Sequence, residues 1–177
     1  MGVSDIPKCS NDATCRLVRG LIQRAVYSSW VQKNVVQAQY FKDPNRIDDY
    51  LAANVFLTDI NNEISVNETF KTNLMSLDKL VLIKFANDLV VTPKETSHFG
   101  YWKDGELKPL QQLEIYTKDR VGLKKMDEAG KVDFLTWPGD HLQFSLTDFV
   151  DKIVLPYFAG KKKSTTPDVN AFFAVQQ

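Results

Sequence analysis

The sequence predicts an α/β fold with an incomplete sheet, in which a mainly helical first part leads into a strand–helix–strand–helix second part. Three observations carry this. Through about residue 77 the apolar residues recur at helical spacing and no stretch alternates as a strand would. At Leu80 the chain switches to a nearly continuous apolar run ending at Ala86, which is the pattern of a parallel strand covered on both faces. A second such segment, Val132 to Thr136, follows a helical stretch and precedes another.

Taken in order, Leu17, Val18, Leu21, Ile22, Ala25 and Val26 define a first helix, with Asn11-Asp12 able to cap it. A second fits Trp30 to Gln39 with Ser28 or Ser29 as cap, and Asp43-Pro44 ends that region. Asn45 to Glu63 is irregular and polar, with Tyr50, Leu51, Phe56 and Leu57 as scattered anchors, and Glu68 to Leu77 is a further helix. Asn87-Asp88 stops the Leu80 strand after seven residues, which argues against a buried helix there. Phe99–Trp102 and Leu107–Leu110 flank a hairpin turn at Lys103-Asp104-Gly105-Glu106. A helix from about Val121 to Ala129 ends at Gly130, a residue suited to a left-handed cap. Pro138-Gly139-Asp140 turns the chain after the next strand, and Ser145-Leu146-Thr147-Asp148 is a capping box opening a helix to about Leu155. The expected divisions are 1–78, 79–160 and a polar tail, 161–177. Two parallel strands cannot complete a sheet, so something is expected to be missing from this chain, or a partner supplies it.

Composition narrows the function classes. The 177 residues balance 22 basic against 22 acidic side chains, so no global field favours nucleic acid. No run of roughly 18 apolar residues occurs to span a membrane. The start, Met1 to Lys8, lacks the basic and apolar regions of a signal peptide, and Ile6 stands where myristoylation wants Ser or Thr. Cys9 and Cys15 have no second pair or nearby histidine for zinc, and no other cofactor is called for. They are either two free thiols or a short disulfide of an oxidising compartment, and Asn67-Glu68-Thr69, an N-glycosylation acceptor, leans toward the secretory pathway.

The chemistry centres on Asp88, just past the first strand, and His141, 53 residues later (141 − 88) on the turn past the second. An acid and a histidine so ordered are how the last two members of a hydrolase triad follow their strands. In such a triad a carboxylate holds one ring nitrogen while the other takes a proton from the nucleophile. The plainer alternative is two ordinary turns, Asn87-Asp88 and Gly139-Asp140-His141. Asp140 is a rival carboxylate, but an adjacent residue seldom reaches the far ring nitrogen, so Asp88 is preferred. His98, among Phe99 and Tyr101, reads as a packed or partly exposed side chain. The eight glycines lie at 2, 20, 100, 105, 122, 130, 139 and 160, so no Gly-x-Ser-x-Gly elbow occurs and the nucleophile serine is absent from these residues.

Around these positions Lys84-Phe85-Ala86-Asn87-Asp88, Phe99-Gly100-Tyr101, Thr117-Lys118-Asp119-Arg120-Val121-Gly122-Leu123-Lys124 and Gly139-Asp140-His141-Leu142-Gln143 resemble the palmitoyl-protein thioesterase family. Val36-Gln37-Ala38-Gln39-Tyr40, Asp43-Pro44, Phe56-Leu57-Thr58-Asp59-Ile60-Asn61 and Asn67-Glu68-Thr69 are similar to the same family's helical insertion. The likeness runs from about Pro7 to Ala159. It implies the C-terminal part of an α/β-hydrolase fold, preceded by an acyl-binding insertion that helps form the acyl-chain groove. It further implies Asp88 and His141 as triad acid and base, a Cys9–Cys15 disulfide, a glycan on Asn67 and a lysosomal location. The implied substrates are S-acylated proteins or peptides with their fatty acyl chains. The departures are a shortened cysteine loop, Phe41 in place of tryptophan, His98 in place of another aromatic, an unmatched stretch from Lys161 to Gln177, and no counterpart of the serine-bearing half. The expectation is therefore a chain inactive alone, or alternatively a non-catalytic relative that binds acyl chains or a partner.

Overall fold

A computed structural model describes residues 1–5 and 13–159, the side chain of Cys15 excepted. The Asn11-Asp12 cap, the Cys9–Cys15 pairing and the tail from Lys161 lie outside the described residues. The chain forms two compact units, Met1–Leu142 and Gln143–Gln177.

The first unit opens on α1 (Ala13–Ala25), α2 (Ser29–Asn34) and α3 (Val36–Gln39). Ser28 caps α2, its hydroxyl accepting from the Val31 amide. The single helix expected over Trp30–Gln39 is instead broken at Val35, whose extended backbone (φ −119°, ψ 99°) redirects the chain. The buried Gln32 side chain spans the break, donating to the carbonyls of Val26 at 2.7 Å and Ala38 at 3.1 Å. The stretch read as irregular contains α4 (Ile47–Ala53) and α5 (Leu57–Ile60). Its pattern is hidden because Asn54 substitutes for periodicity: one side-chain oxygen accepts from the amides of Phe56, Leu57 and Thr58, and so starts α5. α6 (Glu68–Met75) is capped by Asn67, which accepts from Thr69 and Phe70, and it ends two residues before the expected Leu77.

β1 (Leu80–Phe85) and β4 (Val132–Trp137) pair in parallel in register Leu80↔Val132 through Phe85↔Trp137. Between them come β2 (Tyr101–Lys103) and β3 (Glu106–Lys108), an antiparallel hairpin, then α7 (Glu114–Thr117) and α8 (Leu123–Glu128). The hairpin turns at Asp104-Gly105, both at positive φ (53° and 76°), as the expected turn residues require. Phe99 does not join β2: it sits in the left-handed region at φ 59°, closing a one-turn helix over Lys94–His98. α8 begins at Leu123 rather than Val121, because Gly122 is left-handed at φ 87°. Gly130, at φ 68°, ends it in the expected conformation. Strands covered on both faces would leave little exposure, yet Leu80 to Ile83 are only half-buried and β4 is β1's one sheet neighbour among the described residues. The structure is thus a mixed helix-and-sheet fold with a small, incomplete parallel sheet.

The core of this unit is Tyr101, Leu110, Leu113, Ile115, Val121 and Leu123, with Leu74, Leu80 and Phe99 packed on it. The helical part is tied to it by polar contacts: Asn62 donates to the Arg120 carbonyl at 2.8 Å, and Arg120 returns a bond to the Asn62 carbonyl at 2.9 Å. In the second unit Ser145 caps α9 (Leu146–Phe149) by accepting from the Asp148 amide at 3.0 Å. The helix runs on through one π-helical stretch, Val150–Val154, into α10 (Leu155–Tyr157).

Leu123 is fully buried whereas Leu107, in the hairpin, is 37% exposed. Leu123→Ala is expected to cost about 2–5 kcal/mol in denaturant unfolding, through lost burial and a residual cavity. Leu107→Ala stays within about 0.5 kcal/mol of the parent.

Candidate active site

The parallel ladder does not stop where the strands do. The Ala86 amide donates to the Trp137 carbonyl at 2.8 Å and the Asn87 amide to the Gly139 carbonyl at 2.9 Å, so the two post-strand loops leave the sheet side by side. Gly139 makes this possible at φ 105°, where a side chain would be strained. Asp88 and His141 are thereby brought together, Nδ1 of His141 lying 2.8 Å from Oδ2 of Asp88.

Asp88 is buried, and its other oxygen is also occupied. Oδ1 accepts from the amides of Val90 at 2.8 Å and Val91 at 2.9 Å, an Asx-type turn in which the carboxylate folds over its own loop. Burial by itself pushes this carboxyl up; the hydrogen bonds from His141, Val91 and Val90 together outweigh it and hold Asp88 below its ordinary value. With an ionised acceptor at Nδ1, the proton of a neutral His141 belongs on that nitrogen and Nε2 carries the lone pair. The imidazole is 31% exposed, so that lone pair can be reached, and Phe85 stands beside it with ring centroids 6.3 Å apart. The carboxylate at Nδ1 is that of Asp88, as preferred over Asp140.

His141 borders a cavity of about 740 Å³ whose other walls are almost wholly apolar: Leu21, Ile22, Val31, Val35 and Phe41 from the helical part, with Val90 and Val91 from the acid loop. That volume falls within the usual range for small-molecule sites. The remaining sequence candidates lie elsewhere in the fold. His98 sets its Nε2 2.9 Å from the Leu135 carbonyl and its ring edge-on to Phe134, a part-buried side chain packed on an aromatic. Asn67 is the α6 cap, half-buried at its residue. Among the described residues no group of three or more His, Cys, Asp or Glu could hold a metal. No helix among them is long and apolar enough to cross a membrane. Two features escaped the sequence reading. The double role of Val90 and Val91 was signalled by an Asp two and three residues before them, the Asx-turn spacing. The cavity had no local signal, since its walls come from segments 3 to 141.

Because the folded Asp88 titrates below its ordinary value of 3.8, its ionisation contributes stability that is fully present above that pH and is lost as the pH falls through the folded value. Asp88→Asn is expected to remove this part of the acid limb. A plot of thermal midpoint against pH, from about 6 to 2, is then shallower for the variant than for the parent.

With this geometry in hand, comparison with known proteins is direct. The palmitoyl protein thioesterase family model matches residues 1–141. The chain is 45% identical over 161 residues to palmitoyl-protein thioesterase 1 of Caenorhabditis elegans, covering 89% of this chain and 54% of that protein. It is 40% identical over 138 residues to palmitoyl-protein thioesterase 3 of Dictyostelium discoideum, covering 76% and 46%. To a lysosomal thioesterase homologue of Drosophila melanogaster it is 34% identical over 137 residues, covering 75% and 48%. The chain spans about half the length of these curated relatives, and it belongs to the palmitoyl protein thioesterase family.

Proposed function

We propose that this chain carries the acyl-binding part and the acid–base pair of a thioesterase that removes long-chain fatty acyl groups from cysteines of lipid-modified proteins. The observation that supports it is the Asp88–His141 pair, 2.8 Å apart, at the edge of an apolar cavity. Residues 1–78 are the acyl-groove side and residues 79–160 the acid–base side of an α/β-hydrolase arrangement. The nucleophile is a serine on a Gly-x-Ser-x-Gly turn that these 177 residues do not contain.

In this reading Nε2 of His141 removes the serine proton as Oγ attacks the thioester carbonyl carbon. Asp88 keeps the ring oriented and stabilises the imidazolium. Collapse of the tetrahedral intermediate breaks the C–S bond, the His141 proton passes to the departing thiolate, and an acyl-serine remains. His141 then deprotonates water, whose attack on the acyl carbon releases the fatty acid and returns the serine its proton. The acyl tail lies against Leu21, Ile22, Val31 and Val35, and its burial supplies binding energy of about 0.8 kcal/mol per methylene. The lysosomal names of several relatives support an acidic compartment, where an Asp88 held below its ordinary value stays ionised. A Cys9–Cys15 disulfide and a glycan on Asn67 belong to the same secretory history.

Joined to a serine-bearing half, Asp88→Asn is expected to lower kcat by about 10⁴-fold, the size of effect seen when a triad histidine loses its acid partner, and KM far less. The 177-residue chain alone is expected to be unlabelled by a fluorophosphonate probe. Labelling that His141→Ala abolishes would refute the missing-nucleophile part of the reading. The cavity together with the absent elbow also supports a non-catalytic acyl-binding relative, for which a fluorescent fatty acid would bind saturably while no longer form of the protein turns over a thioester.

A further inference from the structure

Charge is balanced over the whole chain but not along it. From Ala13 to Lys42 there is no Asp or Glu, while Arg16, Arg19, Arg24, Lys33 and Lys42 all fall in that stretch. Arg19 pairs with Asp5 at 2.7 Å, and the buried Lys42 pairs with Glu63. Arg24 on α1 and Lys33 on α2 are exposed.

The same stretch exposes large apolar side chains: Leu17 at 65%, Leu21 at 58%, Trp30 at 69%, Val36 at 59% and Tyr40 at 46%. Leu21 and Tyr40 also line the cavity, so this surface is the rim of its mouth. On α1, Leu17, Leu21 and Arg24 follow the i, i+4, i+7 spacing of one helix face, which sets the cation at the C-terminal end of the apolar stripe. Trp30 and Val36 are the sequence neighbours of the cavity residues Val31 and Val35.

We propose that α1 and α2 form an interfacial docking face for an anionic phospholipid bilayer, so that the cavity mouth opens onto the membrane surface. An exposed tryptophan and leucines beside basic residues, with the one carboxylate at the cavity wall, Asp5, neutralised by Arg19, are the composition that settles at the headgroup boundary of negatively charged lipid. The physiological use rests on the thioesterase reading: an acyl chain anchored in the bilayer would pass into the cavity without crossing water. The docking itself does not rest on it.

The test is co-sedimentation of the full chain with phosphatidylcholine vesicles, with and without phosphatidylglycerol, at low and high salt. Binding to the anionic vesicles that weakens with salt is expected, with a blue shift of tryptophan emission that Trp30→Phe removes. The double variant Arg24→Gln, Lys33→Gln is expected to bind about thirtyfold more weakly, as the loss of two basic contacts near an anionic surface implies. Neither side chain lines the cavity, so a fluorescent fatty acid should bind this variant as it binds the parent. Equal binding to neutral vesicles, no vesicle binding by a chain shown folded by circular dichroism, or self-association of the chain through this face would each overturn the proposal. Vesicle binding without fatty-acid binding keeps the docking face and sinks only the acyl-groove reading.

Discussion

The register of one pair of parallel strands governs the rest of the site. Leu80 faces Val132 and Phe85 faces Trp137, and the ladder continues past both strand ends to Asn87 and Gly139. A slip of a single residue would move one loop by about 3.3 Å relative to the other and turn every side chain to the opposite face. A 2.8 Å bond between Asp88 and His141 cannot survive that. The pair's geometry therefore depends on the sheet before it depends on the loops, and the glycine at 139 is what lets the sheet's hydrogen bonding reach that far.

The Asp88 loop joins electrostatics to shape. A buried carboxylate is costly unless its oxygens are hydrogen-bonded, and here both are, one by the histidine and one by two consecutive amides. Those amides belong to Val90 and Val91, whose side chains wall the cavity. The backbone conformation that fixes the acid is thus the one that presents the valines, so a disturbance of the cavity wall here also reaches the orientation of the imidazole.

How much of this was legible in sequence follows from whether the determinants are local. The apolar run at Leu80, the Ser28 and Ser145 caps, the Asp104-Gly105 turn and the Gly130 helix end are written in neighbouring residues and could be read. That Asp88 and His141 each lie just past a parallel strand could be read too, and the structure brings the two side chains together. What failed was non-local or side-chain driven: α5 is started by the Asn54 side chain, and the break at Val35 is bridged by the Gln32 side chain, which donates to the Val26 and Ala38 carbonyls, and by the Gln39 side-chain amide, which donates to the Gln32 carbonyl at 2.7 Å. The cavity is the extreme case, since its walls come from five separate segments at once, residues 3–5, 21–26, 31–41, 90–91 and 141.

That same helical part explains why so many polar groups are buried there. Leu21, Ile22, Val31, Val35 and Phe41 face the cavity, so they do not pack against one another as a core would. Shape must then be held by directional bonds, and Gln32, Asn54, Thr58, Asn61 and Asn62 are all buried while the apolar residues buried alongside them are few. Gln32 ties the end of α1 to α3, Asn54 ties α4 to α5 and to the Gln39 carbonyl at 3.0 Å, and Asn62 ties the whole part to Arg120. Each bond contributes only about 1 kcal/mol net, but leaving one of these donors unpaired would cost more than that, and the Gln32 side-chain oxygen is itself buried with no hydrogen-bond partner among the described residues. Polar stitching of this kind keeps an apolar hollow open, where a purely hydrophobic packing of the same helices would close it.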